Sequence, residues 1–162
     1  MPDDNDADAG LPDWAAAIAT RLRFFARSRA ERTALAPALA LLRGGIPLPR
    51  FLAACLATFE ETVATKPGLA PARTELLTLC AMARDAVATG CDDRAVIARA
   101  APLMNQPLPI GVAAYVPGRV VWLGAMAALV PSEEAGAATM LVNDLAAVDP
   151  ALPYRALRRA AG

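Results

Sequence analysis

The sequence predicts an all-α fold: a single-domain bundle of about six to eight helices built from αα-hairpins. Alanine, the residue with the highest helix propensity, is the commonest of the 162 residues. Apolar residues recur at helical spacing along most of the chain, and no stretch shows the sustained alternation of a half-buried strand. A chain of this length can bury a substantial core as one domain.

The first helix is predicted over about residues 12–29, because its large apolar residues recur on one face. These residues are Trp14, Ile18, Leu22 and Phe25. A shorter helix is predicted over about residues 33–43. The stretch "GGIPLP" then predicts a corner between two helices. Gly44 and Gly45 supply the left-handed backbone that ends many helices, and Pro49 suits the first turn of the next helix.

The later helices are predicted from apolar stripes that are separated by Gly, Pro and Asp. They cover about residues 49–65, 71–89, 92–101, 120–130 and 132–147, with a short basic helix from Pro153 onward. The most apolar of them, residues 120–130, is predicted to be buried at the centre of the bundle. It is too short to span a membrane, and Arg119 precedes it directly. Gly124 would let a neighbouring helix approach closely.

Charge is balanced overall, with 16 basic and 16 acidic residues, but it is unevenly distributed. Asp3, Asp4, Asp6 and Asp8 make residues 1–10 acidic, and residues 11–162 therefore carry a net charge of +4. We predict that residues 1–10 form a disordered acidic tail and residues 11–162 the helical domain. The tail lacks the basic and apolar regions of a signal peptide, which favours a cytoplasmic location.

The absence of histidine is the most informative count in the composition. It removes the Ser-His and Cys-His nucleophile arrangements and histidine metal ligands. Cys55, Cys80 and Cys91 are widely spaced, which indicates no zinc site or redox pair. The first two are predicted to pack in the core, and the third is either a reactive thiol at a helix start or an ordinary loop residue. We expect no catalytic residue, no metal and no cofactor.

A candidate protein-binding site lies in the arginine-rich stretch "RLRFFARSRAER", residues 21–32. Phe24 falls off the apolar stripe of the first helix, and an exposed Phe24 between Arg23 and Arg27 would suit an interface, where aromatic residues and arginine are enriched. The alternative is that Phe24 packs in the core. The arginines of this stretch do not share one helical face, which favours a solvated surface over a nucleic-acid site.

A second candidate site belongs to a different class of function. Arg119 lies in the most apolar segment and could hold an anionic ligand in a pocket of the bundle, with Tyr115 nearby. The alternative is that Arg119 reaches solvent or a carboxylate. Under this hypothesis the chain is a helical-bundle binder of a small apolar or anionic ligand.

Two segments carry a resemblance to a known family. "LLRGGIPLPRFLAACL" (residues 41–56) and "ARDAVATGCDDRAVIARA" (residues 83–100) resemble parts of the cytoplasmic domains of the F-type inner-membrane platform proteins of bacterial type II secretion and type IV pilus systems. The resemblance implies a six-helix bundle that contacts other assembly components. It agrees with the function that we expect from the residues: a non-catalytic adaptor or small assembly subunit that binds a protein partner or a second copy of itself.

Overall fold

The computed structural model describes residues 8–89, 94–104, 116–127 and 134–162. Within these ranges the chain forms eight α-helices and one 3-10 helix, Pro67–Ala72, and no β-strand. The helices are α1 (Asp13–Phe25), α2 (Arg29–Arg43), α3 (Leu48–Thr65), α4 (Arg73–Thr89), α5 (Arg94–Met104), α6 (Val116–Ala127), α7 (Glu134–Val148) and α8 (Leu152–Ala161). The predicted all-α bundle of six to eight helices is confirmed.

The bundle combines pairs of consecutive helices with contacts between helices that are distant in sequence. Helix α3 packs against α4, α6, α7 and α8, and α6 packs against α3, α4, α5 and α7. Helix α1 lies on α7, and α8 lies on α2 and α3. None of the described helices combines the length and the apolar character that a membrane crossing requires.

The core is built around α3, whose Phe51 and Phe59 are completely buried. The ring of Trp14 on α1 stacks on the ring of Phe51 with their centroids 5.4 Å apart. Val120 and Val121 of α6 are also fully buried. The predicted burial of the apolar segment after Arg119 therefore holds for Val120, Val121, Leu123 and Ala125, whereas Trp122 is only partly buried.

The junction between the first two helices differs from the prediction. Helix α1 ends at Phe25 rather than near residue 29, and α2 begins at Arg29 rather than near residue 33. The cause is a capping box: the Ser28 hydroxyl accepts a hydrogen bond from the N–H of Glu31, and the Glu31 carboxylate accepts one from the N–H of Ser28. Together they satisfy two backbone donors at the start of α2.

The predicted corner at residues 44–49 forms, with one correction. Gly45 has a φ of 85°, in the left-handed region. Gly44 instead stays in the right-handed helical region, and its N–H continues the hydrogen bonds of α2. Only the second glycine is therefore required by backbone conformation. Pro49 lies in the first turn of α3, as predicted.

Three helix boundaries that the sequence predicted near prolines are displaced. Helix α5 continues past Pro102 to Met104, because a proline in the last turn removes one backbone hydrogen bond without ending the helix. Helix α6 begins at Val116 rather than near residue 120, since a proline is tolerated in the first turn and Pro117 lies there. Pro71 likewise lies inside the 3-10 helix, and α4 starts only at Arg73.

The structure differs from the predicted disordered tail of residues 1–10 at its last three residues. Asp8–Gly10 form a turn in which the carbonyl of Asp8 accepts a hydrogen bond from the N–H of Leu11 at 3.0 Å. The side chain of Asp8 is bound by two arginines, as described below. The rest of the predicted tail, together with Cys91, lies outside the described residues.

Candidate functional site

Phe24 is exposed to solvent at the end of α1, with 64% of its surface accessible. Met140, at 42%, is the other exposed large hydrophobic residue in the part of the chain that the structure describes. The Phe24 ring packs edge-on against the ring of Phe25 at a centroid distance of 5.4 Å. Phe24 therefore does not pack in the core, and the exposed alternative of the sequence analysis applies.

A groove lies beside Phe25, between the α1–α2 junction and the corner that joins α7 to α8. Its volume is about 330 Å³, and its lining is formed by Phe25, Glu31, Asn143, Ala146, Ala147 and Pro150. A second hollow of about 370 Å³ shares Glu31 and Pro150 with it and reaches Tyr154. We call Phe24, Phe25 and the lining of the first hollow the Phe24 groove. Its walls are mainly apolar.

One negative charge borders the groove and is fixed in place. The Oε2 atom of Glu31 accepts hydrogen bonds from the N–H groups of Arg27 and Ser28 at 2.8 and 3.1 Å. These backbone donors, Ser28 first, hold the pKa of Glu31 below its usual value. Burial, and secondly the charge of Glu31, raises the pKa of the Tyr154 phenol. Glu31 therefore remains ionised near neutral pH, as the acidic member of the capping box of α2.

The structure separates the three residues that the sequence suggested as a partner site. Arg27 is exposed, and its backbone holds the junction: its N–H is bound to Glu31, and its carbonyl accepts a hydrogen bond from Nη1 of Arg32. Arg23 is half-buried, and its Nη1 lies 2.5 Å from Oδ2 of Asp8. Phe24 and Arg27 are therefore available to a partner, whereas Arg23 is already bound within the chain.

Sequence reasoning missed the far side of the groove, which Asn143 and Ala146 of α7 and Pro150, in the turn after α7, provide. These residues are more than a hundred positions from Phe24, and no local pattern connects the two segments. The capping box was detectable, because "SRAE" (residues 28–31) matches the S-x-x-E signature that precedes a helix.

The second candidate site is only partly described, because Tyr115 lies outside the described residues. The Nε atom of Arg119 lies 3.1 Å from Oδ2 of Asp144, whose side chain is mostly buried. That oxygen has no hydrogen-bond partner of good geometry. Burial raises the pKa of Asp144, and the charge of Arg119 partly opposes this effect. Arg119 thus reaches a carboxylate, the alternative to ligand binding left open by the sequence.

The chemistry available elsewhere in the described chain is limited. Cys55 and Cys80 are buried, and burial raises the pKa of both thiols, that of Cys80 to about 12. Neither is therefore a nucleophile in the folded protein. Among the described residues, no group of three or more Cys, Asp or Glu side chains is arranged to hold a metal ion.

Comparison of the chain with protein-family models, with curated proteins and with solved structures finds no match. We therefore infer function from the geometry of the Phe24 groove.

Proposed function

We propose that this protein is a non-catalytic helical adaptor or small assembly subunit that binds a protein partner through the Phe24 groove. The exposure of Phe24 is the observation that carries the proposal. Burying a phenylalanine side chain contributes roughly 1.5–3 kcal/mol, and Phe24 forgoes most of this in the isolated chain. A partner that covers the ring would recover it.

The surroundings of Phe24 support a protein rather than a small ligand as the occupant. The groove is open to solvent, and its lining includes the small apolar residues Ala146 and Ala147 of α7. Phe25, which also lines it, contacts the exposed ring of Phe24. Aromatic anchors that lie beside shallow apolar surface, with arginine at the rim, are typical of protein interfaces. Arg27, which is exposed three residues after Phe24, would supply such a charge. The resemblance to secretion platform domains, with its implied role in assembly, agrees with this proposal.

The test uses the tagged protein and two variants at one position. Phe24→Ser removes the ring, and Phe24→Leu, the matched control, retains an apolar side chain. Each is used for affinity capture from the native cells, and the Kd of any stoichiometric partner is then measured. We expect Phe24→Ser to raise the Kd at least about 30-fold, the equivalent of ~2 kcal/mol. Phe24→Leu should raise it much less.

Sizing of the purified protein distinguishes a separate partner from self-association. A wild-type dimer that becomes monomeric in Phe24→Ser would mean that the groove binds a second copy of the chain. A partner that both variants retain with wild-type affinity would overturn the proposed role of Phe24. Circular dichroism of both variants controls for folding, which we expect to be unchanged because the side chain is exposed.

A further inference from the structure

A second surface binds a carboxylate within the chain itself. Nη1 of Arg23, on α1, lies 2.5 Å from Oδ2 of Asp8, and Nη2 of Arg43, on α2, lies 3.1 Å from Oδ1. The Nε of Arg43 also donates to Oδ1 at 3.3 Å. Two guanidinium groups from different helices thus hold both oxygens of one carboxylate. Arg23, and secondly Arg43, holds the pKa of Asp8 below its usual value.

The bound carboxylate comes from the short segment that precedes α1. Asp8 lies only five residues before Asp13, and the N–H of Leu11 closes a turn on its carbonyl. The same carboxylate contacts Arg23, close to the end of α1, and Arg43, the last residue of α2.

The arginine pair has more donors than Asp8 satisfies. The two guanidinium groups carry two positive charges against one negative charge. The Nε and Nη2 atoms of Arg23 are inaccessible to solvent and have no hydrogen-bond partner. Buried donors without an acceptor cost free energy. Because solvent does not reach these two atoms, an incoming carboxylate would take the nitrogens that Asp8 now holds, Nη1 of Arg23 and Nε and Nη2 of Arg43.

We propose that Arg23 and Arg43 form a carboxylate-binding site that Asp8 occupies in cis, and that an acidic side chain of a protein partner occupies it after displacing Asp8. Asp8 thereby acts as an internal competitor. Because it is tethered by a short segment, its effective concentration lies in the millimolar range, and only a ligand that makes further contacts displaces it. The inference shares with the proposed function the premise of a protein partner, but Phe24 is not part of this site, so it does not depend on the Phe24 groove.

The test measures binding of a hexaglutamate peptide to full-length variants by isothermal titration at low salt. We expect Asp8→Asn, which keeps the size of the side chain but not its charge, to bind the peptide at least tenfold more tightly than the wild type. Adding Arg43→Gln should reverse the gain. Arg29→Gln in the Asp8→Asn background is the matched control, because it removes the same charge from an exposed position on α2. It should leave the gain intact.

Two results would overturn the proposal and leave Asp8 as a structural ion pair. One is equal peptide binding by the wild type and Asp8→Asn, and the other is equal loss of binding from Arg43→Gln and Arg29→Gln. Inorganic phosphate is titrated separately. If phosphate binds Asp8→Asn and hexaglutamate does not, the site binds a free anion, and the proposal that a partner's carboxylate occupies it is wrong. Phe24→Ser in the Asp8→Asn background should bind hexaglutamate normally, which separates this test from that of the Phe24 groove.

If Asp8→Asn loses helicity, the side-chain Nε–H NMR signals of the arginines in the wild-type protein provide a second measurement. Titration with hexaglutamate should shift the Nε–H signals of Arg23 and Arg43 before those of Arg29. Shifts that are uniform over all the arginines would contradict a defined site.

Discussion

The side chain of Leu56 on α3 fills the space beside Gly124 on α6. A Cβ at position 124 would lie 2.8 Å from Cδ1 and 2.9 Å from Cδ2 of Leu56. Leu56 is completely buried, so its methyl groups have little room to move. The close approach of α3 and α6 therefore depends on the missing side chain, as the sequence suggested for Gly124.

Gly124→Ala should destabilise the protein. Overpacking in a core costs roughly 1–3 kcal/mol, which outweighs the roughly 1 kcal/mol of helix propensity that alanine gains over glycine. We expect a net loss of about 1 kcal/mol in the free energy of unfolding, measured with urea. Gly136→Ala on α7 is the matched control: position 136 is exposed and has open space, so the same change should stabilise the protein. Two variants of equal stability would contradict the predicted overlap.

Ser28→Ala should weaken the start of α2. The hydroxyl accepts the N–H of Glu31 at 3.0 Å, and loss of such a cap typically costs about 1 kcal/mol. Thr33→Ala is the control, since the Thr33 hydroxyl donates only to the carbonyl of Arg29 within the same helix. That variant should be as stable as the wild type or slightly more stable, by thermal unfolding. A Ser28→Ala variant with wild-type stability would mean that the capping box does not hold the junction.

Glu31 should make the protein sensitive to acid. Its pKa is lowered in the folded state from the ordinary value of 4.5, so its ionised form stabilises the fold at pH values above 4.5. This contribution is lost as the pH falls through the folded-state pKa. Glu31→Gln should therefore flatten the stability profile below pH 4.5 when urea unfolding is followed as a function of pH. An unchanged acid slope would contradict the assignment.

Asp144 should have the opposite pH dependence. Its pKa is raised in the folded state from 3.8, so the folded state binds more protons than the unfolded state above pH 3.8. The free energy of unfolding should fall as the pH rises through that window, up to the folded-state pKa. Asp144→Asn should remove this decrease in the free energy of unfolding. Arg119→Gln should make the decrease larger, because the buried carboxylate then loses the positive charge that opposes the rise in its pKa. A steeper profile in Asp144→Asn would be inconsistent with the burial of this group.

Cys55 and Cys80 should resist thiol reagents while the protein is folded. Burial raises the pKa of Cys80 to about 12, and both side chains are enclosed. In a Cys91→Ser background, a chromogenic disulfide reagent should label neither thiol in buffer and both in denaturant. Rapid labelling of one thiol under native conditions would show that α3 or α4 opens locally.

The helices were predictable because their signals are local. The stripe on α3, the corner that ends with Gly45 and the proline at the start of α8 each lie within a few residues of the structure that they cause. The sites were less predictable because they join distant segments. Asp8 meets Arg43 across 35 positions, and Asp144 meets Arg119 from another helix. A single sequence shows that these charges exist but not which of them lie together.

The order in which the helices pack also bears on how the protein loses its structure. In a repeat array each unit contacts only its neighbours, and terminal units can detach alone. Here α1 lies on α7, while α8 lies on α2 and α3, so the interfaces interlock segments from opposite parts of the described chain. Removing either of these helices would expose apolar surface on partners far away in sequence. The slowest-exchanging amides of α1, α3 and α8 should therefore give the same free energy of opening in hydrogen exchange, as expected of a single cooperative unit.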